Sequence, residues 1–317
     1  MTILDHILMG SIIGLSFEPY NGYIVAAAIG GSFLPDIDLA YGGPGTAGYL
    51  DKHRTYTHSL WLAPAFSFIL SLILYGGSFL LKFLFEMQPV DSFLTLWLCC
   101  FLGNAVHLLV DILNPFGTTL WWPKKDKIAI DILFEFDPAF TLTLILGIVV
   151  MLRKHFLPDQ IWLEIYQIAL ITSLILLMYI LLRVLKRIDF KKKVIDKFKD
   201  LLTDVKKESF VPAGLWRWKA ILETEEKHYV IRQQSQNLTC EVKPKTNLPH
   251  SQVKEIKIYK QYARHLDVHV KNDHLILSNL VYPSKVLPLI GCFASPGKPL
   301  IKIEKPKWLR VLYERNY

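Results

Sequence analysis

The stretch LWLAPAFSFILSLILYGGSFLL, residues 60–81, contains 22 consecutive uncharged residues. A helix of that length crosses the hydrocarbon core of a bilayer, which is roughly 30 Å thick. Three more apolar runs follow along the chain, at 92–110, 138–152 and 165–182. The run at 138–152 has only 15 residues, so we expect a short span or one that begins in a buried polar region. The sequence therefore predicts a mainly α, polytopic membrane domain with four spans.

Two shorter apolar runs precede the spans, at 7–17 and 19–35. The second is rich in glycine and alanine, and small residues let helices approach each other closely inside a membrane. We expect the two runs to form an N-terminal helical hairpin that packs through Gly30 and Gly31. Because both runs are shorter than the usual 20 or so residues of a span, full crossing of the bilayer is left open.

The charge of the chain is divided unevenly between its two parts. Residues 1–185 carry nine Lys or Arg and 14 Asp or Glu, which gives a net charge of −5. Residues 186–317 carry 27 Lys or Arg and 14 Asp or Glu, which gives a net charge of +13. With 52% apolar residues and a mean hydropathy of +0.29, this composition excludes a single soluble domain and a disordered chain. Four cysteines without CxxC spacing exclude a secreted disulfide scaffold.

Three segments follow from these patterns. Residues 1–185 are predicted to form the membrane domain, 186–209 a basic amphipathic linker helix, and 210–317 a small β-rich soluble domain. The linker is expected to lie on the membrane surface or on the soluble domain. Short alternating runs typical of strands occur at 228–232, 255–259, 266–270 and 275–277.

The distribution of basic residues predicts the orientation in the membrane. Lys and Arg cluster directly after the last span, at Arg183, Lys186 and Arg187 and at 191–193. By the positive-inside rule, the C-terminal domain is then cytoplasmic. Counting the spans backwards places the loops 36–57 and 115–137 on the same side.

The polar residues of the membrane part are clustered, and their spacing indicates a metal site. His107 and Asp111 are four residues apart on a predicted helix, so that both side chains project from one face. Asp36 and Asp38 flank one residue directly after Pro35, where both carboxylates can turn toward one cation. A buried histidine that only packs and hydrogen-bonds is the alternative interpretation of His107, but ionisable groups inside a span are costly and usually functional.

The predicted orientation brings further residues to the same membrane face. His53 and His58 precede the first long span, and with the four residues above they make six candidate ligands from three separate segments. His6 is a further candidate metal ligand. Arg54 is interpreted either as a partner of the acids or as a phosphate-binding group, and Asp137, which opens the short span, as a candidate base.

The order of these motifs resembles the YdjM-type family, whose members are described as bacterial inner-membrane, metal-dependent hydrolases, some of them LexA-regulated. The resemblance covers about residues 1–150. The motifs that carry it are GGSFLPDID at 30–38, HRTYTHS at 53–59, HLLVD at 107–111, NPFG at 114–117 and WWP at 121–123.

The resemblance implies a location in the bacterial inner membrane and a relation to the zinc-dependent phospholipase C and single-strand nuclease superfamily, whose α-helical enzymes bind up to three zinc ions and cleave phosphoesters. It implies metal-ligand roles for Asp36, His58, His107 and Asp111, and by extension for Asp38 and His53. Secreted enzymes of that superfamily use a processed N-terminal residue as a ligand, for which His6 is a candidate substitute here.

The leading hypothesis is a metal-dependent phosphoesterase at the cytoplasmic membrane face. One or two divalent ions, zinc by ligand type, would activate water, with Asp38 or Asp137 as general base and Arg54 or Lys52 offsetting developing charge. A site walled by spans suggests a lipid phosphoester as substrate.

The alternative is a non-enzymatic membrane regulator whose basic C-terminal domain binds a protein or an anionic partner, with membrane lipids among the anionic surfaces available. An ion transporter is less favoured, because the acids lie at one face rather than at the midplane. Nucleic acid is not expected as a partner, since no aromatic-basic motif of a known binding fold occurs.

Overall fold

The structure is a computed structural model of the 317-residue chain. It describes residues 2–17, 21–41, 53–124, 126–134, 136–158, 163–234, 237–245, 266–271, 274–280 and 301–304. The described residues form two compact units. The first is built from residues within 1–38, 52–188 and 214–216, and the second mainly from residues within 189–213 and 217–317. The predicted domain boundaries at 185 and 209 stay predictions.

Seven α-helices occur in the part of the chain that the structure describes. They are α1 (Ile3–Leu15), α2 (Gly22–Phe33), α3 (Ala63–Phe85), α4 (Phe93–Ile112), α5 (Pro138–Phe156), α6 (Ile165–Lys197) and α7 (Lys199–Leu202). The helices α3 to α6 are long and apolar enough to cross a membrane, which confirms the four predicted spans. The helices α1 and α2 form the predicted N-terminal pair.

The third span is longer than its apolar run suggested. Helix α5 has 19 residues rather than 15, because its last turn contains Arg153, Lys154 and His155. Basic side chains are favourable there, since the C-terminal end of a helix carries partial negative charge. A charged last turn therefore extends the span beyond its apolar part.

The predicted linker helix does not begin as a separate element at residue 186. Helix α6 continues without a break from the last span to Lys197 and is followed by the four-residue helix α7. No glycine or proline lies between residues 165 and 197, so nothing in the sequence breaks the helix. The basic segment is therefore the C-terminal part of the last span helix.

Glycines set the close packing of the N-terminal pair. Gly31 on α2 lies so near the Cys100 carbonyl of α4 that a Cβ atom would overlap it, and Gly103 on α4 approaches the backbone of α2 equally closely. Gly10 on α1 packs against α2 in the same way. Gly30, also predicted to mediate packing, faces a leucine side chain of α3 instead. The pair is thus joined firmly to the span that carries His107.

A proline changes the helix type after α2. Residues Leu34–Tyr41 form a 3₁₀ helix that begins next to Pro35. Proline has no backbone N–H and cannot donate to the carbonyl four residues earlier, which favours the tighter 3₁₀ turn over a further α turn. This turn carries Asp36 and Asp38 at the end of α2.

The second unit contains antiparallel β-structure. Its first sheet has the order β1 (Lys207–Pro212), β2 (Trp218–Glu223), β3 (Lys227–Gln234) and β4 (Asn237–Pro244). All neighbours are antiparallel, and Ile221 of β2 pairs with Val230 of β3. These two side chains form a buried cluster with Val211 and Leu280. The sheet confirms the small β-rich region predicted at the C-terminal end.

A second sheet has three strands, β5 (Leu266–Lys271), β6 (His274–Asn279) and β7 (Ile301–Glu304), in sequential antiparallel order. The first two coincide with the predicted runs at 266–270 and 275–277. The run predicted at 255–259 lies outside the described residues.

Candidate metal centre

The predicted site residues of the first unit meet at one end of its helices. Asp36 and Asp38 follow α2, His53 and His58 precede α3, and Asp111 lies in the last turn of α4. All are buried: Asp38, His58 and Asp111 are 0% exposed, and Asp36 and His53 are 7% and 8% exposed. Side chains from three separate segments are thus removed from solvent together.

Helix α1 contributes His6. The Thr2 side chain accepts a hydrogen bond from the Asp5 amide, and the Asp5 carboxylate accepts one from the Thr2 amide. This capping box starts the helix directly before His6. The His6 ring then stacks on the His107 ring, with 3.6 Å between the ring centroids.

The inner cluster consists of His6, Asp36, His58, His107 and Asp111. The two Nε2 atoms of His58 and His107 are 3.3 Å apart. The Oδ1 atom of Asp36 lies 3.6 Å from the first and 3.8 Å from the second. The Oδ2 atom of Asp111 lies 3.5 Å and 3.6 Å from the same two nitrogens. Four donor atoms therefore face one small volume.

These separations match the ligand set of a single cation. Ligand atoms about 2.1 Å from a tetrahedral zinc ion lie about 3.4 Å from one another, and the five distances above range from 3.3 to 3.8 Å. His6 adds a further donor, since its Nε2 atom lies 3.4 Å from Asp111 Oδ1. Neither ring nitrogen of the buried His6 makes a hydrogen bond within the described part of the chain. The inner cluster could hold a metal ion.

Hydrogen bonds to the far side of each imidazole select the tautomer that a ligand needs. The Nδ1 atom of His107 lies 2.6 Å from the Ser32 carbonyl oxygen, which can only accept, so Nδ1 carries the proton. The Nδ1 atom of His58 lies 3.1 Å from the Thr57 hydroxyl and 3.5 Å from an Asp38 oxygen. Both arrangements leave Nε2 as the basic nitrogen, as in histidines that ligate metals.

The site contains buried charges of both signs. Asp36, Asp38 and Asp111 supply three carboxylates, and Arg54 supplies one guanidinium at 4% exposure. Burial lowers the pKa of the neighbouring Lys127 to about 7, so near neutral pH that amine adds only part of a positive charge. Buried charges need compensation, which Arg54 and the imidazole of His58 supply in the metal-free protein.

The pKa of His58 reflects the carboxylates that surround it. Burial acts to lower it, but hydrogen bonds to the carboxylates of Asp111 and Asp36 outweigh burial and raise the pKa of His58 to about 9. Although burial acts to raise the pKa of Asp36, the surrounding imidazoles, His107 first, hold it well below its usual value. In the metal-free protein, this cluster therefore favours taking up a positive charge.

Asp38 and His53 form a second pair beside the inner cluster. The His53 Nδ1 atom lies 3.0 Å from Asp38 Oδ1, while Asp38 Oδ2 accepts hydrogen bonds from the Arg54 amide and the Thr57 hydroxyl. Burial lowers the pKa of His53 to about 4 despite this carboxylate, so its imidazole is neutral near pH 7. Asp36, Asp38 and His53 are also close enough together to hold a cation.

Arg54 lies between these groups in a left-handed backbone conformation, with φ of 59°. Its guanidinium donates to Asp111 at 3.2 Å and to the Gly117 carbonyl at 3.4 Å, and it stacks over the Phe116 ring. Its observed role is therefore to pair with a carboxylate of the site. Non-glycine residues with positive φ are uncommon and often occur at functional sites.

The NPFG motif builds the turn that receives Arg54. The Asn114 side chain accepts from the Phe116 amide, and Gly117 has a φ of 63°, which glycine adopts without strain. A Cβ atom on Gly117 would also press against the Ile128 carbonyl. The turn thereby presents the Gly117 carbonyl to the guanidinium.

Asp137 has a different environment. It is the N-cap of α5, where it accepts from the Phe140 amide, and both of its oxygens lie 2.8 Å from the Tyr179 hydroxyl. It belongs to none of the candidate metal groups among the described residues. Its predicted role as a base stays a prediction. Lys52, the alternative to Arg54, lies outside the described residues.

Several contributors to the site were not predicted. The Ser32 carbonyl and the Thr57 hydroxyl orient the two central imidazoles, and Thr119 binds the Arg54 carbonyl through both its amide and its hydroxyl. Of these three residues, only Thr57 could have been suspected from the sequence, because it lies between the predicted ligands His53 and His58. A backbone carbonyl gives no signal in the sequence.

Fold and site together define a multi-span membrane protein with a buried histidine and aspartate cluster that could hold a metal ion. The chain belongs to the YdjM inner membrane protein family, whose family model matches residues 1–189. It is also similar to a Bacillus subtilis (strain 168) protein named "Uncharacterized protein YfhP", with 28% identity over 238 residues. That match covers 72% of this chain and 66% of the relative. No solved structure matches the chain significantly.

Proposed function

We propose that this protein is a membrane-embedded, metal-dependent hydrolase of phosphoric esters, with one or two zinc ions in the candidate metal centre. The observation that carries the proposal is the inner cluster, in which imidazole nitrogens and carboxylate oxygens face one volume at ligand-to-ligand distances. Imidazole and carboxylate together suit zinc. A bound zinc ion would supply Lewis acidity toward a phosphoryl oxygen and a nucleophilic water near neutral pH.

The residues of the site would divide this work. Asp36, His58, His107 and Asp111 hold the first ion, with His6 completing the set. Asp38 positions His53 through the Nδ1 hydrogen bond, and the neutral imidazole of His53 accepts the proton of the attacking water. Hydrolysis forms a phosphorus–oxygen bond from water and breaks the ester bond, and the leaving alcohol takes up the released proton.

Access to the site would come from the edge at Asp36 and His53. These two side chains are 7% and 8% exposed, whereas His58, His107 and Asp111 are fully buried. A substrate phosphate approaching at that edge would meet the proton acceptor first and the inner cluster behind it.

Metal content tests the ligand assignment. Purified wild-type protein should carry zinc by inductively coupled plasma mass spectrometry, and the variants His107→Ala and Asp111→Asn should lose most of it. Matched controls are His155→Ala and Asp189→Asn, which remove an exposed imidazole and an exposed carboxylate elsewhere in the chain. Equal metal content in all five proteins would refute the site.

Activity tests the reaction. Wild-type protein in detergent should release nitrophenol from bis(p-nitrophenyl) phosphate, and chelation should stop the release until zinc is restored. His53→Gln should keep the zinc ion of the inner cluster but lose on the order of 10²-fold in rate, because a proton acceptor contributes about that much. A zinc-loaded wild type that releases no nitrophenol would oppose the hydrolase proposal.

A structural zinc site is the second candidate, and the complete burial of His58, His107 and Asp111 favours it. Structural zinc sites are closed by protein ligands, whereas catalytic sites keep a position open for water or substrate. In that case chelation should lower the thermal unfolding temperature strongly and no phosphoester should be cleaved. A zinc-loaded, active wild type would exclude this candidate.

We further propose that the site faces the cytoplasm, with the C-terminal β-rich region on the same side. The proposal is supported by the basic residues after the last span. Cys240 is exposed, whereas Cys99 and Cys100 are buried, so in a Cys292→Ser background Cys240 is the reactive thiol among the described residues. A membrane-impermeant maleimide should label it in inverted vesicles and not in intact spheroplasts. The reverse pattern would overturn this orientation.

A further inference from the structure

Three exposed tryptophans lie beside the candidate metal centre. Trp61, Trp121 and Trp122 are 69%, 41% and 42% exposed. The rings of Trp61 and Trp121 pack together with 5.6 Å between their centroids, and Trp122 lies against Tyr56. We call these three residues the tryptophan patch.

Backbone contacts connect this patch to the site. The Leu60 amide donates to the Leu120 carbonyl at 3.0 Å, which joins the segment of Trp61 to the segment of Trp121 and Trp122. One residue earlier, Thr119 donates to the Arg54 carbonyl from its amide and its hydroxyl. Arg54 in turn pairs with Asp111 of the inner cluster. The patch and the site therefore hold a fixed position relative to each other.

The position of the patch along the chain identifies what it contacts. Trp61 is two residues before Ala63, where helix α3 begins, so the patch lies at one end of a helix that is long and apolar enough to cross a membrane. Tryptophan is enriched at the membrane–water interface, because its apolar ring and its polar N–H suit the headgroup region. Three clustered indoles facing water would be an unusually costly surface.

A further apolar side chain is exposed at the access edge of the site. Ile37, between Asp36 and Asp38, is 55% exposed. An exposed isoleucine flanked by two buried carboxylates is consistent with an edge that meets lipid rather than bulk water.

We infer that the tryptophan patch lies among the lipid headgroups and holds the metal centre at that depth, so that the phosphoester it acts on belongs to a membrane lipid. This inference rests on the proposed hydrolase function and names its substrate class. Water would add to the lipid phosphorus, the phosphorus–oxygen ester bond would break, and the leaving alcohol would take up a proton. The occupant of the patch is the headgroup region of the bilayer itself.

The test compares two substrates in wild-type protein and in the triple variant Trp61→Ser, Trp121→Ser and Trp122→Ser. The first substrate is soluble bis(p-nitrophenyl) phosphate, and the second is phosphatidylglycerol in mixed vesicles with phosphatidylethanolamine, whose products are followed by mass spectrometry. Phe156→Ser, which removes a 73% exposed aromatic ring at the far end of α5, is the matched control.

Wild-type protein should cleave both substrates. The triple variant should keep its zinc and its rate on the soluble diester, but cleave the vesicle lipid about tenfold more slowly, because the lipid is no longer held at the site. Equal lipid cleavage by wild type and triple variant would overturn the inference. Cleavage of the diester but not of the lipid by wild type would overturn it while leaving the hydrolase proposal intact. Cleavage of neither by zinc-loaded wild type would overturn both.

Fluorescence gives a second measurement that does not depend on activity. Lipids brominated close to the headgroup should quench part of the wild-type tryptophan emission, and this part should be missing in the triple variant. Quenching that is the same in both proteins would overturn the placement of the patch in the bilayer.

Discussion

Zinc binding to the metal-free protein should release a proton from His58. The reason is the raised pKa of this buried imidazole, about 9, which the carboxylates of Asp111 and Asp36 maintain against burial. A ligating nitrogen cannot keep its proton, so the ion replaces the charge that the proton supplied.

The size of the effect follows from that pKa. At pH 7, about two units below the pKa, some 99% of His58 is protonated, so each zinc ion should displace about one proton. Between pH 6 and 8 the apparent affinity should rise about tenfold per pH unit, about 100-fold overall. The neutral His53, with a pKa of about 4, should add nothing in this range.

Isothermal titration calorimetry in two buffers of different ionisation enthalpy measures the number of protons released. We expect a value near one at pH 7 for wild type and for the control variant His155→Gln. A value near zero, together with an affinity that does not change between pH 6 and 8, would refute this account of the electrostatics.

Four further predictions follow from the described contacts. Protonated His58 should stabilise the metal-free protein against unfolding by about 3 kcal/mol below pH 6.5, and this contribution should disappear as the pH rises through about 9. The thermal unfolding temperature of the metal-free protein should therefore fall over that pH interval, and that of the zinc-bound protein should not. Thr57→Val should weaken zinc binding roughly tenfold in a chelator competition, because the His58 ring loses its orienting partner, and an unchanged affinity would count against that role. Gly31→Ala should cost about 1–3 kcal/mol in thermal unfolding, whereas Gly76→Ala, which meets no neighbour, should not; equal effects would contradict the packing argument. Burial lowers the pKa of Lys219 to about 7, so the strand that contains this residue should become more stable as the pH rises from 7 to about 10.5. Amide hydrogen exchange should detect this change in stability, and Lys219→Met should remove its pH dependence.

The parts of the site that could be predicted are those set by local spacing. His107 and Asp111 share a helix face because they are four residues apart, and the apolar runs are long enough to bring Asp36 and His58 to the same end of the helices. These are properties of one helix or of the order of the spans, and both are readable in a sequence.

The parts that could not be predicted depend on tertiary contacts. The stacking of His6 on His107 requires α1 to pack beside α4, and no pattern within α1 indicates that neighbour. The tautomer of His107 is set by the Ser32 carbonyl, 75 residues away in the sequence. A backbone oxygen has no sequence signature, so its contribution appears only in the structure.

The N-cap role of Asp137 and the continuity of helix α6 could both have been predicted from local sequence patterns. Asp137 followed by Pro138 is typical of a helix N-cap with proline in the first turn, which is where the structure places it, although its bond to Tyr179 is long-range. The continuity of α6 was also readable, because no helix breaker separates the last span from the basic segment. The change in charge at residue 186 lies within this continuous helix.

The most direct test of the central claim is zinc K-edge X-ray absorption of the purified protein. We expect a bound zinc ion with imidazole nitrogen and carboxylate oxygen ligands at about 2.0–2.2 Å, and loss of imidazole scattering in His107→Ala. A spectrum with sulfur ligands, or one that His107→Ala leaves unchanged, would contradict it.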